Sequence, residues 1–323
     1  MPDIVSVGNA TIDTFICLKG RVREKNLMLA VGTKKEIGSI FYATGGGATN
    51  TAVGFKRLGL KAGVLAAVGK DPGGSIVLRE LRRERIDTKL VARLKHYNTA
   101  YSAILTGFGH DRIILVYGGA TRHLGEERQI RWKLLEKAKW LHVSSFHSEP
   151  RILKKILDFA QSKGISVSFN PGASEISLGI KRLSKLLKKV DIVLLNREEA
   201  ARLTGKNRVK EQLKRLQLLV PLVVITEDKK GSHAFDGTTY YRKPVYNVKI
   251  ADTTGAGDAF HSGFVAAIVK GKTVEKALDE ATANAHSVIM HLGAKNKLLT
   301  QSGLNRFMEL HETNKTRVVK ERI

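Results

Sequence analysis

Short, uninterrupted apolar runs recur along the chain at residues 4–8, 62–68, 140–143, 165–169, 192–195 and 222–226. Amphipathic stretches of helical period lie between them, at 48–58, 73–85, 152–161, 180–187 and 209–218. An apolar run without alternation predicts a strand covered on both faces. Strands alternating with amphipathic helices predict a doubly wound, mostly parallel central sheet of the α/β class. Two regions break the rhythm: residues 14–44 and 99–117 read as strands with no helix between them. They predict a small antiparallel β-sheet that projects as a lid. The last third turns helical, at 256–270, 273–290 and 304–311. With no internal repeat and no low-complexity linker, residues 1–323 read as one domain carrying the lid strands.

Composition narrows the class. The single cysteine, Cys17, excludes a disulfide framework and a cysteine-rich zinc site, and makes the cytoplasm the expected compartment. The N-terminus, Met1-Pro2-Asp3-Ile4-Val5, has no basic region followed by a long apolar run, so no signal peptide is expected. No apolar run approaches the roughly 20 residues of a membrane span. Lys and Arg number 55 against 30 Asp and Glu, a net charge of +25. Such an excess attracts polyanions. The basic residues are spread along the chain, as at Lys181-Arg182, Lys188-Lys189 and Lys229-Lys230, which fits a solvated surface better than a nucleic-acid groove.

The segment richest in chemistry is Asp252-Thr253-Thr254-Gly255-Ala256-Gly257-Asp258-Ala259-Phe260. Its small residues open a helix and let backbone N–H groups approach a phosphate, where the helix dipole favours negative charge. Asp258 falls in the first turn, beside that anion site. A carboxylate there needs a task that outweighs repulsion, and taking the proton of an attacking hydroxyl is one. A lone Gly-x-Gly-Asp would be an ordinary turn with a favourable first-turn Asp. The nine-residue run headed by Asp252 is far more specific.

Three further segments qualify. In Thr44-Gly45-Gly46-Gly47-Ala48-Thr49-Asn50, exposed backbone and the Asn50 amide suit hydroxyl binding, although glycine runs also simply make turns. Asn50 stands where a dinucleotide fingerprint needs its third glycine, which argues against a dehydrogenase. Asp13 lies just past the first strand, where open α/β sheets bind ligands, and a carboxylate there accepts from two neighbouring hydroxyls or serves as a turn residue. Asn196-Arg197-Glu198-Glu199 is a capping-box variant whose alternative use is to organise water around Mg2+ on phosphates. Rivals fall away. Gly271-Lys272-Thr273 lacks the first P-loop glycine, because Ala266 occupies that place. The pairs His142/His147 and His286/His291 lack the spacing of a helical zinc pair.

In this order the segments resemble the ribokinase-like (PfkB) carbohydrate kinases over nearly the whole chain. The run from Asp252 to Phe260 is similar to that family's second signature, and Gly45 to Asn50 to its first. The resemblance implies a kinase that moves the terminal phosphate of ATP or ADP to a hydroxyl of a sugar or sugar derivative, with Mg2+. It implies Asp258 as base, with Gly255, Ala256 and Gly257 as the anion hole. Asp13, Gly46 and Asn50 would contact substrate hydroxyls. Asn196 and Glu199 would act near magnesium and phosphate, Thr226 and Gly231 would line the nucleotide, and Asn284 would lie near the adenine. Asp252 and the backbone of Thr254 resemble a monovalent-cation site, usually K+. A homodimer through the lid is expected on the same ground.

The acceptor stays open among a plain sugar, a nucleoside and a sugar phosphate. Arg21, Arg23, Lys34, Lys35, Arg112 and Arg122, in or near the lid, are candidates for a substrate phosphate or plain lid surface. Phe15, Phe41 and Tyr101 are candidates for surrounding a nucleobase. Two departures from the family pattern stand out. Asp228 replaces a glycine in the nucleotide loop Thr226-Glu227-Asp228-Lys229-Lys230-Gly231, and Ser168 and Asn170 stand where an aspartate is frequent. A reading of another class, a non-catalytic nucleic-acid-binding protein on a kinase fold, predicts polynucleotide binding with a steep salt dependence.

Overall fold

The structure, a computed structural model, describes residues 1–322 except 19–26, 109–110, 126–128, 146–149, 292, 312 and 314–315. The chain begins with β1 (Ile4–Val7) and passes into β2 (Thr11–Leu18) and β3 (Ile37–Gly45). It returns through α1 (Gly47–Arg57) to β4 (Ala62–Gly69), α2 (Pro72–Arg83) and β5 (Val91–Leu94), then leaves again as β6 (Ala100–Phe108) and β7 (Asp111–Tyr117). The alternation resumes with α3 (Trp132–Leu135), β8 (Trp140–Ser144), α4 (Pro150–Ser162), β9 (Ser166–Asn170), α5 (Ala173–Ile176) and α6 (Gly179–Leu187). It continues through β10 (Ile192–Asn196), α7 (Arg197–Thr204), α8 (Val209–Gln217) and β11 (Leu222–Thr226). The remaining elements are β12 (Ser232–Phe235), β13 (Thr239–Lys243), α9 (Ala256–Val269), α10 (Val274–Ile289), α11 (Gln301–His311) and β14 (Val319–Arg322).

Ten strands form the main sheet in the order β14-β13-β12-β11-β10-β9-β8-β1-β4-β5. From β11 to β5 every neighbour is parallel, and β12, β13 and β14 add an antiparallel edge. This is the expected doubly wound, mostly parallel sheet. Its strands are apolar on both faces because each face is covered. Val193 and Leu195 of β10 point into a core with α4, α6 and α8, whereas Ile192 and Leu194 point into a second core with α1, α9 and α10. The antiparallel edge was not legible in the sequence: β13 and β14 carry Lys, Arg and Tyr on an edge that needs no continuous apolar run.

The lid is a separate four-stranded sheet in the order β3-β2-β6-β7. Here the expectation of an antiparallel sheet is corrected. β2 and β3 form one antiparallel hairpin and β6 and β7 another, but β2 runs parallel to β6, with Thr11 opposite Ala100 and Cys17 opposite Thr106. Both strands leave the main domain in the same direction, so their union is parallel. The lid also starts earlier than residue 14, at Thr11, which puts Asp13 inside a strand rather than in a turn.

Local chemistry sets the helix starts that matter. The Asp71 carboxylate caps α2 by accepting from Gly74 N at 2.7 Å, and also accepts from Thr99 N at 2.7 Å, which ties the helix to the root of β6. Among the described residues no helix is long and apolar enough to cross a membrane.

Candidate active site

The carboxyl ends of β1, β8, β10 and β11 open on one edge of the main sheet, where α1 and α9 also begin. Gly255 caps α9 in the left-handed region, with φ 79°. A side chain there would overlap Ala294, so only glycine turns the chain this tightly. The helix then starts at Ala256, and the N–H groups of its first turn lack carbonyl partners four residues back within the helix. Gly257 is exposed, so this polarised end faces the cleft.

Asp258 sits in that first turn. Its Oδ2 accepts from Asn50 Nδ2 at 2.8 Å. Asn50 is buried in the first turn of α1, whose own cap, Gly46, has φ 93°. The two glycine-led helices therefore deliver the Asp258 carboxylate and the Asn50 amide to one point. Burial pushes the Asp258 carboxyl above its ordinary range; the Asn50 bond lowers it, Asp13 raises it, and Lys295 lowers it.

Asp13 reaches the same cavity from β2 and is 9% exposed. Thr11 Oγ1 donates to its Oδ1 at 3.0 Å. Burial raises its carboxyl too, against hydrogen bonds from Thr11 and Ser102 and the charge of Lys295. Two buried oxygens, Asn9 Oδ1 and Asn50 Oδ1, have no hydrogen-bond partner within the protein. Asn9 lies two residues past β1 and Asn50 contacts Asp258. The unpaired Asn50 Oδ1 beside Asp258 and the Asp13 carboxylate are acceptors of the kind that suit a polyhydroxylated ligand. Asn9 and Lys295 carried no sequence signal that set them apart.

The nucleotide-side candidates lie further along the edge. Asn196 and Thr226 are register partners on β10 and β11. Asn196 and Glu199 form a full capping box: Asn196 Oδ1 accepts from Glu199 N at 2.8 Å, and Glu199 Oε2 accepts from Asn196 N at 2.9 Å. Asn196 Nδ2 and Glu199 Oε1 stay free of that box, which suits contact through water. Burial raises the Glu199 carboxyl. Gly231 has φ 96° at the start of β12, and Asp228 takes φ 38°, a glycine-type conformation at the position where a glycine is replaced.

Other candidates are moved. Asn284 is fully buried: its Nδ2 donates to Ala259 O at 2.8 Å and Ser262 Oγ at 3.3 Å, and its Oδ1 accepts from Leu299 N at 2.9 Å. It braces α9 and α10 and has no face left for an adenine. Ser168 bonds Trp140 and His142, and Asn170 bonds Leu194 O, so both serve the sheet. Gly271-Lys272-Thr273 links α9 to α10, with Thr273 capping α10.

Asp252 does not match a ready monovalent-cation site. Its Oδ1 accepts from Thr254 N at 2.9 Å, Thr254 Oγ1 at 2.7 Å and Arg112 Nη1 at 3.3 Å, and its Oδ2 accepts from Gly293 N at 3.1 Å. A cation on Oδ1 would compete with the Arg112 guanidinium. Arg112 comes from β7 and latches the lid to the anion-hole loop.

Strand alternation sorts the other lid candidates. Phe15 and Phe41 share the face of Asp13, with ring centroids 5.9 Å apart, and Phe41 stays 49% exposed beside Gly293. Tyr101 is on the opposite face, bonded to Thr14, which corrects its candidacy for a base pocket. There it lines a cleft of about 510 Å³ with Tyr42, Tyr117 and Ile76. Lys34, Lys35 and Arg122 are exposed surface. Arg21, Arg23 and His147 lie outside the described residues. Among the described residues no group of three or more His, Cys, Asp or Glu could hold a metal ion.

Comparison with known proteins agrees with this fold. A curated relative, the ATP-dependent 6-phosphofructokinase of Thermoanaerobacterium thermosaccharolyticum, is 28% identical over 77% of this chain and 80% of its own. The nucleoside kinase of Methanocaldococcus jannaschii is 26% identical over 96% of this chain and 98% of its own. Its crystal structure superposes with a TM-score of 0.80 over 96% of this chain and 99% of that one, at 24% identity. A putative ribokinase II from E. coli, solved in complex with ATP and Mg2+, has a TM-score of 0.80 at 18% identity, over 96% of this chain and 100% of its own. Residues 1–301 match the pfkB family carbohydrate kinase description. The chain is a phosphotransferase and belongs to the pfkB family of carbohydrate kinases.

Proposed function

We propose that the chain transfers the terminal phosphate of ATP to a hydroxyl on the sugar of a nucleoside, with Asp258 as general base. The observation that carries the base is its position: a carboxylate at the mouth of the glycine-started helix α9, oriented by Asn50 and within the influence of Asp13. Asp13, Asn50 and Asn9 hold the sugar hydroxyls. Asp258 takes the proton of the attacking hydroxyl as its oxygen bonds to phosphorus. The Gly255–Gly257 N–H groups meet the charge on the transferred group. Mg2+ bound to the nucleotide phosphates would neutralise charge there, with Glu199 reaching it through water. No step is assigned to a monovalent cation.

The lid supports a nucleoside over a sugar phosphate. On the site-facing side, Phe15, Phe41, Ile114 and Val116 offer an apolar surface over the buried Ile104, and Val116 is 57% exposed. A planar base covers such a surface, whereas a phosphate needs a cation there. Arg112, the cation described on β7, is already paired with Asp252. A coupled phosphorylation screen over sugars, nucleosides and sugar phosphates, with ATP and ADP each as donor, tests both statements. Nucleosides with ATP should give the highest kcat/KM, and a sugar phosphate at the top would reverse the acceptor assignment.

The same reading pairs the lid's outer face with a second copy. Tyr42 is 63% exposed there, on the same face as Ile40, Leu115 and Tyr117. A dimer in sedimentation, lost on Tyr42→Lys, is the expected result.

A further inference from the structure

The segment after α10 touches both halves of the site. The Gly293 N–H bonds Asp252 Oδ2 at 3.1 Å, and Ala294 packs on Gly255. Lys295 then turns toward the acceptor side. Its ammonium pairs with Glu80 of α2 at 2.9 Å, donates to Thr44 Oγ1 at the end of β3, and reaches Thr49 Oγ1 of α1 at 3.5 Å. Thr49 Oγ1 in turn donates to Gly45 O at 2.7 Å. The backbone is pinned as well, because Lys295 O accepts from Arg57 Nη1 at 3.2 Å. The Lys295 side chain is only 10% exposed. Burying an ammonium is costly, and one held by a single carboxylate and two hydroxyls between the glycine run and the anion hole has a place that packing alone does not require.

We propose that Lys295 is a positioning residue that fixes the acceptor loop against the start of α9 and brings a buried positive charge to that side of the site. The proposal rests on the reading of Asp258 as base. The charged groups that face Lys295 are Glu80, Glu84 and Arg83 from α2, Arg57 from α1, Asp13 from β2 and Asp258 from α9. Asp13 adds to the cost of ionising Asp258, and the charge of Lys295 lowers that cost for both.

The test compares pH–rate profiles of Lys295→Met, Lys295→Arg and Glu80→Gln with that of the unchanged protein, using the best acceptor from the screen. Removing the charge should move the acid midpoint of kcat/KM up by about one pH unit and lower kcat by about tenfold to a hundredfold, with the KM for ATP changed less than about threefold. Lys295→Arg keeps the charge in another shape, so kcat should fall while the midpoint stays. Glu80→Gln breaks the ion pair but keeps the ammonium, and its midpoint should not rise. An unmoved midpoint in Lys295→Met, or an equal rise in Glu80→Gln, overturns the proposal. If the Met variant does not fold, a raised midpoint in Lys295→Arg overturns it instead. Asp258→Asn separates the two readings: activity there removes the base assignment, while an inactive Asp258→Asn beside a normal Lys295→Met profile removes only Lys295.

Discussion

Asn50 Nδ2 and Asp258 Oδ2 lie 2.8 Å apart, joined across 208 residues of sequence. The bond aims one carboxylate oxygen at the amide and leaves the other toward the cavity. Asp258→Asn should therefore cut kcat by about a thousandfold or more while calorimetric ATP affinity stays within about threefold. Asn50→Ala should lower kcat by about tenfold to a hundredfold and also weaken acceptor binding. Near-normal turnover in Asp258→Asn would remove the base assignment.

The raised carboxyl of Asp258 has a stability consequence of definite sign. The folded state holds that proton more tightly than the unfolded chain does. The associated stability is present below the ordinary aspartate range and is lost as pH rises through the folded value. At neutral pH the ionised residue is a cost. Asp258→Asn should raise Tm by about 1–4 °C at pH 7 and by less near pH 4, measured by scanning calorimetry.

The buried histidines act in the opposite sense. Burial pushes His142 down to about 3 and His261 to about 4, so both are neutral in the fold. Their contribution is intact above the ordinary value of 6.5 and drains as pH falls toward 4. Replacing His261 with Gln should flatten the loss of stability between pH 6.5 and 4 by up to about 1.4 kcal/mol per pH unit. Urea melts across that range would show it.

Asn284 separates a structural role from a nucleotide role. Asn284→Leu strands the Leu299 N–H, while Ala259 O keeps the Ser262 hydroxyl, and should cost about 1–3 kcal/mol. The KM for ATP should stay within about twofold at a temperature where the variant is folded. A large rise in KM with little loss of stability would restore the adenine contact.

Arg112 latches the lid by an ion pair at 3.3 Å that solvent reaches. Such a pair is worth about 0–1 kcal/mol to the fold, so Arg112→Ala should leave Tm nearly unchanged. Lid closure should suffer more. The expected signature is a rise of several fold in acceptor KM, together with more ATP hydrolysed per acceptor phosphorylated.

The doubly wound sheet was readable because its strands are apolar on both faces, a pattern that few other arrangements produce. The glycine-led start of α9 was readable because Gly255 and Asp258 must sit close in sequence to share one helix turn. Asp13 and Asn50 could be singled out only beside glycines or a strand end. Lys295 and Asn9 could not be found, since their roles depend on partners such as Glu80 and Asp258 that folding brings from distant segments. Asn284 was misassigned because a buried amide that braces helices and one that binds a ligand look alike in sequence.

The parallel seam between β2 and β6 makes the lid a joint product of two stretches of chain, with α1, β4, α2 and β5 threaded between them. It is no detachable cassette. Neither hairpin alone has its neighbour, so the lid completes only after the first crossover units have packed, and assembly is slowed by that long closure. Because β2 follows β1 after three residues and β3 runs into α1 after one, any rocking of the lid pulls directly on Asn9 and Gly46. Grafting another substrate preference onto this enzyme therefore requires exchanging both hairpins and both short hinges as a set.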